Sequence, residues 1–80
     1  MIGHLDVQIP KMGMSTVEVD IVRVLVEPGQ RVEPTDVVVE IESEKANYEI
    51  EAGASGTISE ILVAEGDEAQ VGDVVARIEP

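Results

Sequence analysis

The sequence predicts an all-β sandwich or barrel built from two similar sheets, and three observations carry that expectation. The apolar residues are almost all Val, Ile, Leu and Ala, with one Tyr and neither Phe nor Trp. Such β-branched side chains favour pleated strands. The apolar runs are short and separated by Gly and Pro at close spacing, the pattern of strands joined by turns. The two halves of the chain also repeat one another.

Taken in order, the runs are 7–9, 19–26, 37–42, 46–51, 57–63 and 74–78. Pro10 and Gly13 end the first, Pro28-Gly29 the second, and Pro34 precedes the third. In Val37-Val38-Val39-Glu40-Ile41-Glu42 the odd positions are all apolar, which predicts a half-buried strand with those positions inward. In 46–51 the alternation is strict, so Ala46, Tyr48 and Ile50 share the predicted core face. Gly53 to Gly56, Gly66 and Gly72 punctuate the remainder. No segment sustains a 3.6-residue period with caps, so no helix is expected.

The repeat is ungapped. Residues 19–42 slide onto 56–79, and nine of the 24 positions are identical. They are Ile21/Ile58, Leu25/Leu62, Val26/Val63, Gly29/Gly66, Asp36/Asp73, Val37/Val74, Val38/Val75, Ile41/Ile78 and Glu42/Glu79. One such strand–turn–strand unit cannot bury its apolar face alone, whereas two packed together can. The expected product is a pair of sheets related by a pseudo-two-fold axis. Strand 37–42 is followed almost at once by strand 46–51. That places Ser43, Glu44 and Lys45 at the tip of a tight hairpin, and the equivalent point of the second copy is the chain end beside Pro80.

Eighty residues allow one domain, 1–80. Its folded core is expected over 7–79, with 1–5 frayed and Pro80 the start of a linker. A chain this short buries only about 60% of its unfolded surface, so modest stability is expected. Without cysteine there is no disulfide, thiolate metal site or thiol nucleophile. Seventeen acidic residues against five basic ones give a net charge of −12. That argues against nucleic-acid and anionic-membrane surfaces, which require basic patches. No apolar run is long enough to span a membrane as a helix, and the N-terminus lacks a secretory h-region.

Catalytic groups are sparse. His4 is the sole histidine and lies near the N-terminus. Ser15, Ser43, Ser55 and Ser59 have no positioned base nearby in sequence, and the carboxylates are dispersed. Asp36 and Asp73 follow turns at equivalent repeat positions, which suits turn capping. No calcium loop or phosphate-binding glycine fingerprint is present. The chain is therefore expected to catalyse nothing by itself. The two lysines, Lys11 and Lys45, remain. A lysine of ordinary pKa, near 10.4, is a weak nucleophile at neutral pH and needs a partner enzyme to activate the reaction. A rigid hairpin tip suits such a partner, whereas Lys11 lies in a loop and is expected to stay a plain surface charge.

At these residues the chain resembles a lipoyl domain, the swinging-arm module of the dihydrolipoamide acyltransferase (E2) component of 2-oxoacid dehydrogenase complexes. The resemblance spans nearly the whole chain. It includes the opening Ile9-Pro10-Lys11-Met12-Gly13-Met14-Ser15 and the hairpin Glu42-Ser43-Glu44-Lys45-Ala46, where the family commonly has Glu-Thr-Asp-Lys-Ala. Asn47-Tyr48-Glu49-Ile50-Glu51-Ala52, Glu65-Gly66-Asp67 and Val71-Gly72-Asp73 are similar too. Gly29 and Gly56 match the family's two characteristic glycines in their spacing from the lysine and are assigned to turn geometry.

The resemblance implies a flattened β-barrel of two four-stranded antiparallel sheets with quasi-two-fold symmetry. It implies that Lys45 carries lipoate in amide linkage. Ser43, Glu44 and Ala46 would form the turn read by the lipoylating enzyme, a lipoate ligase or octanoyl transferase. The implied partners are a thiamine-dependent 2-oxoacid decarboxylase that reductively acylates the dithiolane, an acyltransferase core and a dihydrolipoyl dehydrogenase. The chemistry then belongs to the cofactor and the partners, while this domain is recognised and carries. Tethering raises the effective concentration of the reactive group at each site. The opening leans toward pyruvate, acetoin or branched-chain complexes. The location implied is the cytoplasm of a bacterium or archaeon, or the mitochondrial matrix of a eukaryote, with the isolated domain a monomer.

Two alternatives share the fold. A biotin carboxyl carrier domain brackets its lysine with methionines, whereas here Met12 and Met14 lie far from Lys45 and the neighbours are Glu44 and Ala46. An unmodified lipoyl-like interaction module needs no lysine at the tip. One departure from the family is Glu44 in place of Asp, a longer side chain and a poorer turn former of the same charge. Met12 and Met14 are expected to pack in the first loop, and Tyr48 to serve the core.

Overall fold

The computed structural model describes residues 3–11, 18–44 and 46–80. Lys45 and the first-loop residues Met12, Gly13, Met14 and Ser15 lie outside the described residues. The described residues form eight strands: β1 Leu5–Gln8, β2 Glu18–Val24, β3 Arg31–Val32, β4 Val37–Glu42, β5 Asn47–Glu51, β6 Gly56–Ile61, β7 Glu68–Gln70 and β8 Val74–Glu79. Among the described residues there is no helix. The strands make two antiparallel sheets, ordered β1-β8-β6-β3 and β5-β4-β2-β7. The all-β expectation, with two sheets of four, is therefore met.

The pairing realises the repeat in three dimensions. Ile21 faces Ile41 across β2 and β4, and Ile58 faces Ile78 across β6 and β8. Each pair of strands bulges at the same place, between Ile21 and Arg23 and between Ile58 and Glu60. The symmetry extends beyond the repeated segment. On the outer flank of β4, Tyr48 pairs with Ile41 and Ile50 with Val39. On the outer flank of β8, Leu5 pairs with Ile78 and Val7 with Ala76. So β1, from the start of the chain, completes the second copy as β5 completes the first. Because Leu5 is paired, the strand begins two residues before the expected core boundary at Val7.

One core joins the sheets. Ile9, Ile21, Ile41, Ile58, Ile78, Val32, Val38, Val39 and Val75 are its largest fully buried side chains. Complete burial of each contributes about 1.5–3 kcal/mol of transfer free energy. The period-two reading of 37–42 requires one correction. Val38 and Val39 are both buried, while Val37 is only half-buried. The cause is a bulge between Val37 and Val39 against β5, which shifts which residues face inward. The burial pattern of β8 is the same.

Matched turns carry the chain between sheets. The Asp36 carboxylate accepts the Glu33 N–H at 2.8 Å, and the Asp73 carboxylate accepts the Gln70 N–H at 2.9 Å. The capping role expected for both is therefore observed. Gly29 turns at φ +91°, where a side chain is disfavoured, and its N–H donates to Ile58 O at 2.7 Å. Gly66 repeats this at φ +91°, donating to Ile21 O. Gly56 differs from its assignment to a turn: it opens β6 and is buried. A β-carbon there would lie 2.4 Å from the Glu79 carbonyl oxygen and 2.6 Å from Ile78 Cγ2. Close packing against β8, rather than a turn, therefore dictates glycine.

Candidate functional site

The strand order singles out one connection. Every link between consecutive strands passes from one sheet to the other except β4 to β5, which stays within a sheet as a hairpin. Its pseudo-symmetric counterpart would join β8 to β1, where the chain instead begins and ends. The fold thus has a single hairpin of this kind among its described strands, and its sequence is the segment containing Lys45.

The hairpin is closed tightly. The last strand pair is Glu42 with Asn47. Beyond it the Ser43 N–H donates to the Ala46 carbonyl at 2.8 Å, and the Ser43 hydroxyl donates to the same oxygen at 3.1 Å. Ser43 is half-buried, whereas Glu44 and Ala46 are exposed. Ala46 therefore sits in the turn rather than on the core face predicted for it. Tyr48 and Ile50 do face the core, the first half-buried and the second buried. At the foot of the hairpin, Asn47 Nδ2 donates to Glu40 Oε2 at 3.3 Å. The other Glu40 oxygen lies 3.7 Å from Arg23 Nε on β2. These links tie the hairpin to its neighbouring strands.

Ser43, Glu44 and Ala46 are thus brought together, with Lys45 between them in sequence. Gly29 and Gly56 are not part of this group. Both act on β6 in the opposite sheet, Gly29 through Ile58 and Gly56 through its place at the strand's start. They maintain the framework. Lys11 is exposed, and so is His4. Ser59 donates to the Arg77 carbonyl and Ser55 to a Glu33 carboxylate oxygen, which gives both hydroxyls structural partners. Among the described residues no three His, Cys, Asp or Glu side chains are grouped to hold a metal ion.

Sequence reasoning did not foresee a row of acids beside the hairpin. Glu68, Asp20 and Glu42 stand opposite one another across β7, β2 and β4. With Glu18, Ser43 and Glu44 they line an open depression. The corresponding row on the other sheet is Arg31, Thr57 and Glu79. The fold accepts a cation and a neutral residue at equivalent places, so the acidic row is a property of the hairpin's sheet and not a requirement of the architecture. Only the strand register reveals it. The sign also reverses nearby: Arg23 meets Glu40 on one sheet, and Glu60 meets Arg77 at 3.0 Å on the other.

The turn is thus exposed at Glu44 and Ala46, closed by bonds from Ser43, and carries a primary amine in its sequence. Comparison with known proteins agrees with this geometry. A family model of the biotin/lipoyl group, described as "Biotin-requiring enzyme", matches residues 5–78. The dihydrolipoyllysine-residue acetyltransferase component of the pyruvate dehydrogenase complex of Staphylococcus aureus is 38% identical over 72 residues, 90% of this chain and 17% of that protein. The Staphylococcus epidermidis protein of the same description matches equally. This chain therefore spans 17% of the length of these curated relatives. The lipoyl domain of the 2-oxoglutarate dehydrogenase complex of Azotobacter vinelandii superposes with a TM-score of 0.73 at 28% identity, covering 92% of this chain and 94% of that one. Kluyveromyces lactis urea carboxylase superposes with a TM-score of 0.78 at 28% identity, covering 95% of this chain and 6% of that one.

Proposed function

This chain belongs to the biotin/lipoyl family, and on that premise we propose that it is a lipoyl carrier whose Lys45 holds lipoate in amide linkage. The observation that carries the proposal is the same-sheet hairpin, single among the described strands, with Glu42-Ser43-Glu44-Lys45-Ala46 as its sequence. When attached, the dithiolane supplies a disulfide that accepts an acyl group together with two electrons. The chain's own residues supply presentation. The Ser43–Ala46 closure keeps the turn short, and the Asn47–Glu40–Arg23 links brace its foot.

The partners in this reading are a lipoate ligase or octanoyl transferase, a thiamine-dependent 2-oxoacid decarboxylase, an acyltransferase core and a dihydrolipoyl dehydrogenase. The acidic row beside the turn supports such a role. Carboxylates on one side of a carrier draw it toward basic rims and speed encounter without demanding tight binding. The staphylococcal relatives favour a pyruvate-type complex, with a parent chain that is itself an acyltransferase.

Biotin is the second reading, favoured by the family description and the carboxylase neighbour. Against it stand the lipoyl relatives and the absence of methionine at positions 44 and 46. The test is reductive acylation. The lipoate-loaded domain is offered to purified pyruvate, branched-chain and 2-oxoglutarate decarboxylases with labelled 2-oxoacid. Label is expected on the wild type, fastest with one of the first two enzymes, and none on Lys45→Arg. Failure with all three, while a known lipoyl domain is acylated in parallel, would contradict the carrier role.

A further inference from the structure

We propose that Ser43 is a positioning residue for modification of Lys45: its hydroxyl locks the turn that presents the amine, rather than being read by the attaching enzyme. This rests on the lipoyl-carrier reading above. From Ser43 the Ala46 carbonyl accepts two bonds, at 2.8 Å from the N–H and 3.1 Å from the hydroxyl. They close the four-residue link beyond the final Glu42–Asn47 pair. Ser43 is half-buried and this hydroxyl bond turns inward on its own chain, whereas Glu44 and Ala46 are exposed to an approaching enzyme. Side chains that an enzyme reads and a side chain that shapes the turn are thus separated within four residues.

A hairpin tip lies at the end of its ladder, where local opening is easiest. A hydroxyl bond of ordinary net strength shifts a closed–open balance by about two- to tenfold. When only the closed turn is competent, apparent efficiency scales with the closed fraction. Losing the hydroxyl should therefore lower modification by up to about tenfold while the core is untouched.

Threonine and valine have the same shape, and only threonine keeps the hydroxyl. The experiment compares wild type, Ser43→Thr, Ser43→Val and Ser43→Ala as unmodified domains, with a lipoate ligase, ATP and free lipoate. The reaction followed is amide formation: the Lys45 amine displaces AMP from adenylated lipoate and loses a proton. We expect Ser43→Thr to match wild type in kcat/KM. Ser43→Val and Ser43→Ala should both fall below wild type, by at most about tenfold. Hydrogen exchange at the Ser43 amide should accelerate in the Val and Ala variants only, with core amides of β4 unchanged. That readout separates a loosened turn from a damaged fold. Equal rates for all four proteins would overturn the proposal. So would a threonine variant as poor as valine, which would mean that the enzyme reads Ser43 directly. An unmodified wild type would instead overturn the lipoyl reading, and this inference with it.

Discussion

Replacing Gly56 with alanine tests how closely β6 packs against β8 within the second copy. The added β-carbon would meet the Glu79 carbonyl oxygen at 2.4 Å and Ile78 Cγ2 at 2.6 Å. Neither neighbour can yield freely. Ile78 pairs with Ile58 and with Leu5, and Glu79 pairs with Thr57. Overpacking of this kind costs about 1–3 kcal/mol. The φ of +156° adds backbone strain, and a residue held in a sparsely populated region costs about 1–3 kcal/mol. The sum, about 2–6 kcal/mol, is a large part of the roughly 4–12 kcal/mol available to a domain of this size. A melting temperature lower by at least about 10 °C follows. Gly29→Ala is the control. Its β-carbon would meet nothing within 4 Å, so only the positive φ acts, at about 1–2 kcal/mol. Because the chain has no Trp, urea unfolding would be followed by far-ultraviolet circular dichroism. The reasoning fails if Gly56→Ala is no less stable than Gly29→Ala.

Three other outcomes are expected. Moving the lysine one place, to position 44 or 46 with Lys45 replaced, should abolish lipoylation, because the attaching enzyme must find the amine at one position of a short, closed turn; mass spectrometry showing lipoate on either shifted lysine would contradict this. Glu49 faces Glu40 across β5 and β4, whereas the equivalent Asp6 faces Arg77 and pairs with it at 3.4 Å. Glu49→Arg should therefore stabilise the domain by about 0.2–1 kcal/mol in urea denaturation, and a loss of stability would show that the cross-strand repulsion is not felt. Asp36→Ala and Asp73→Ala should each cost about 0.5–1.5 kcal/mol through the lost turn bond. Since they cap separate turns, the double variant should equal the sum within about 0.5 kcal/mol in a double-mutant cycle.

Much of this fold is legible in the sequence because the repeat and the β-branched bias both survive in the finished structure. Identical residues such as Ile21 and Ile58 occupy equivalent core positions, and Asp36 and Asp73 cap equivalent turns. What stays hidden depends on register. Simple alternation cannot reveal a bulge, so it misassigns Val38, whose inward turn arises from the pairing of β4 with β5. The likeness of β1 to β5 is invisible because Leu5, Val7 and Ile9 share no identity with Tyr48, Ile50 and Ala52. Gly56 reads as a turn residue from its glycine-rich approach. The repeat, which aligns it with Val19 of β2, was the signal that it belongs to a strand. The hairpin itself was legible from the short spacing between two strands. The acids beside it come from three strands, and only their pairing brings Glu68, Asp20 and Glu42 into one row.

The most direct test of the account is intact and peptide mass spectrometry of the domain expressed with lipoate and biotin both available, with Lys45→Arg alongside. A lipoyl or octanoyl increment confined to the Lys45 peptide, and missing from Lys45→Arg, is the predicted result. A biotinyl increment at Lys45, or no increment on a folded domain while a known lipoyl domain is modified in the same cells, would contradict it.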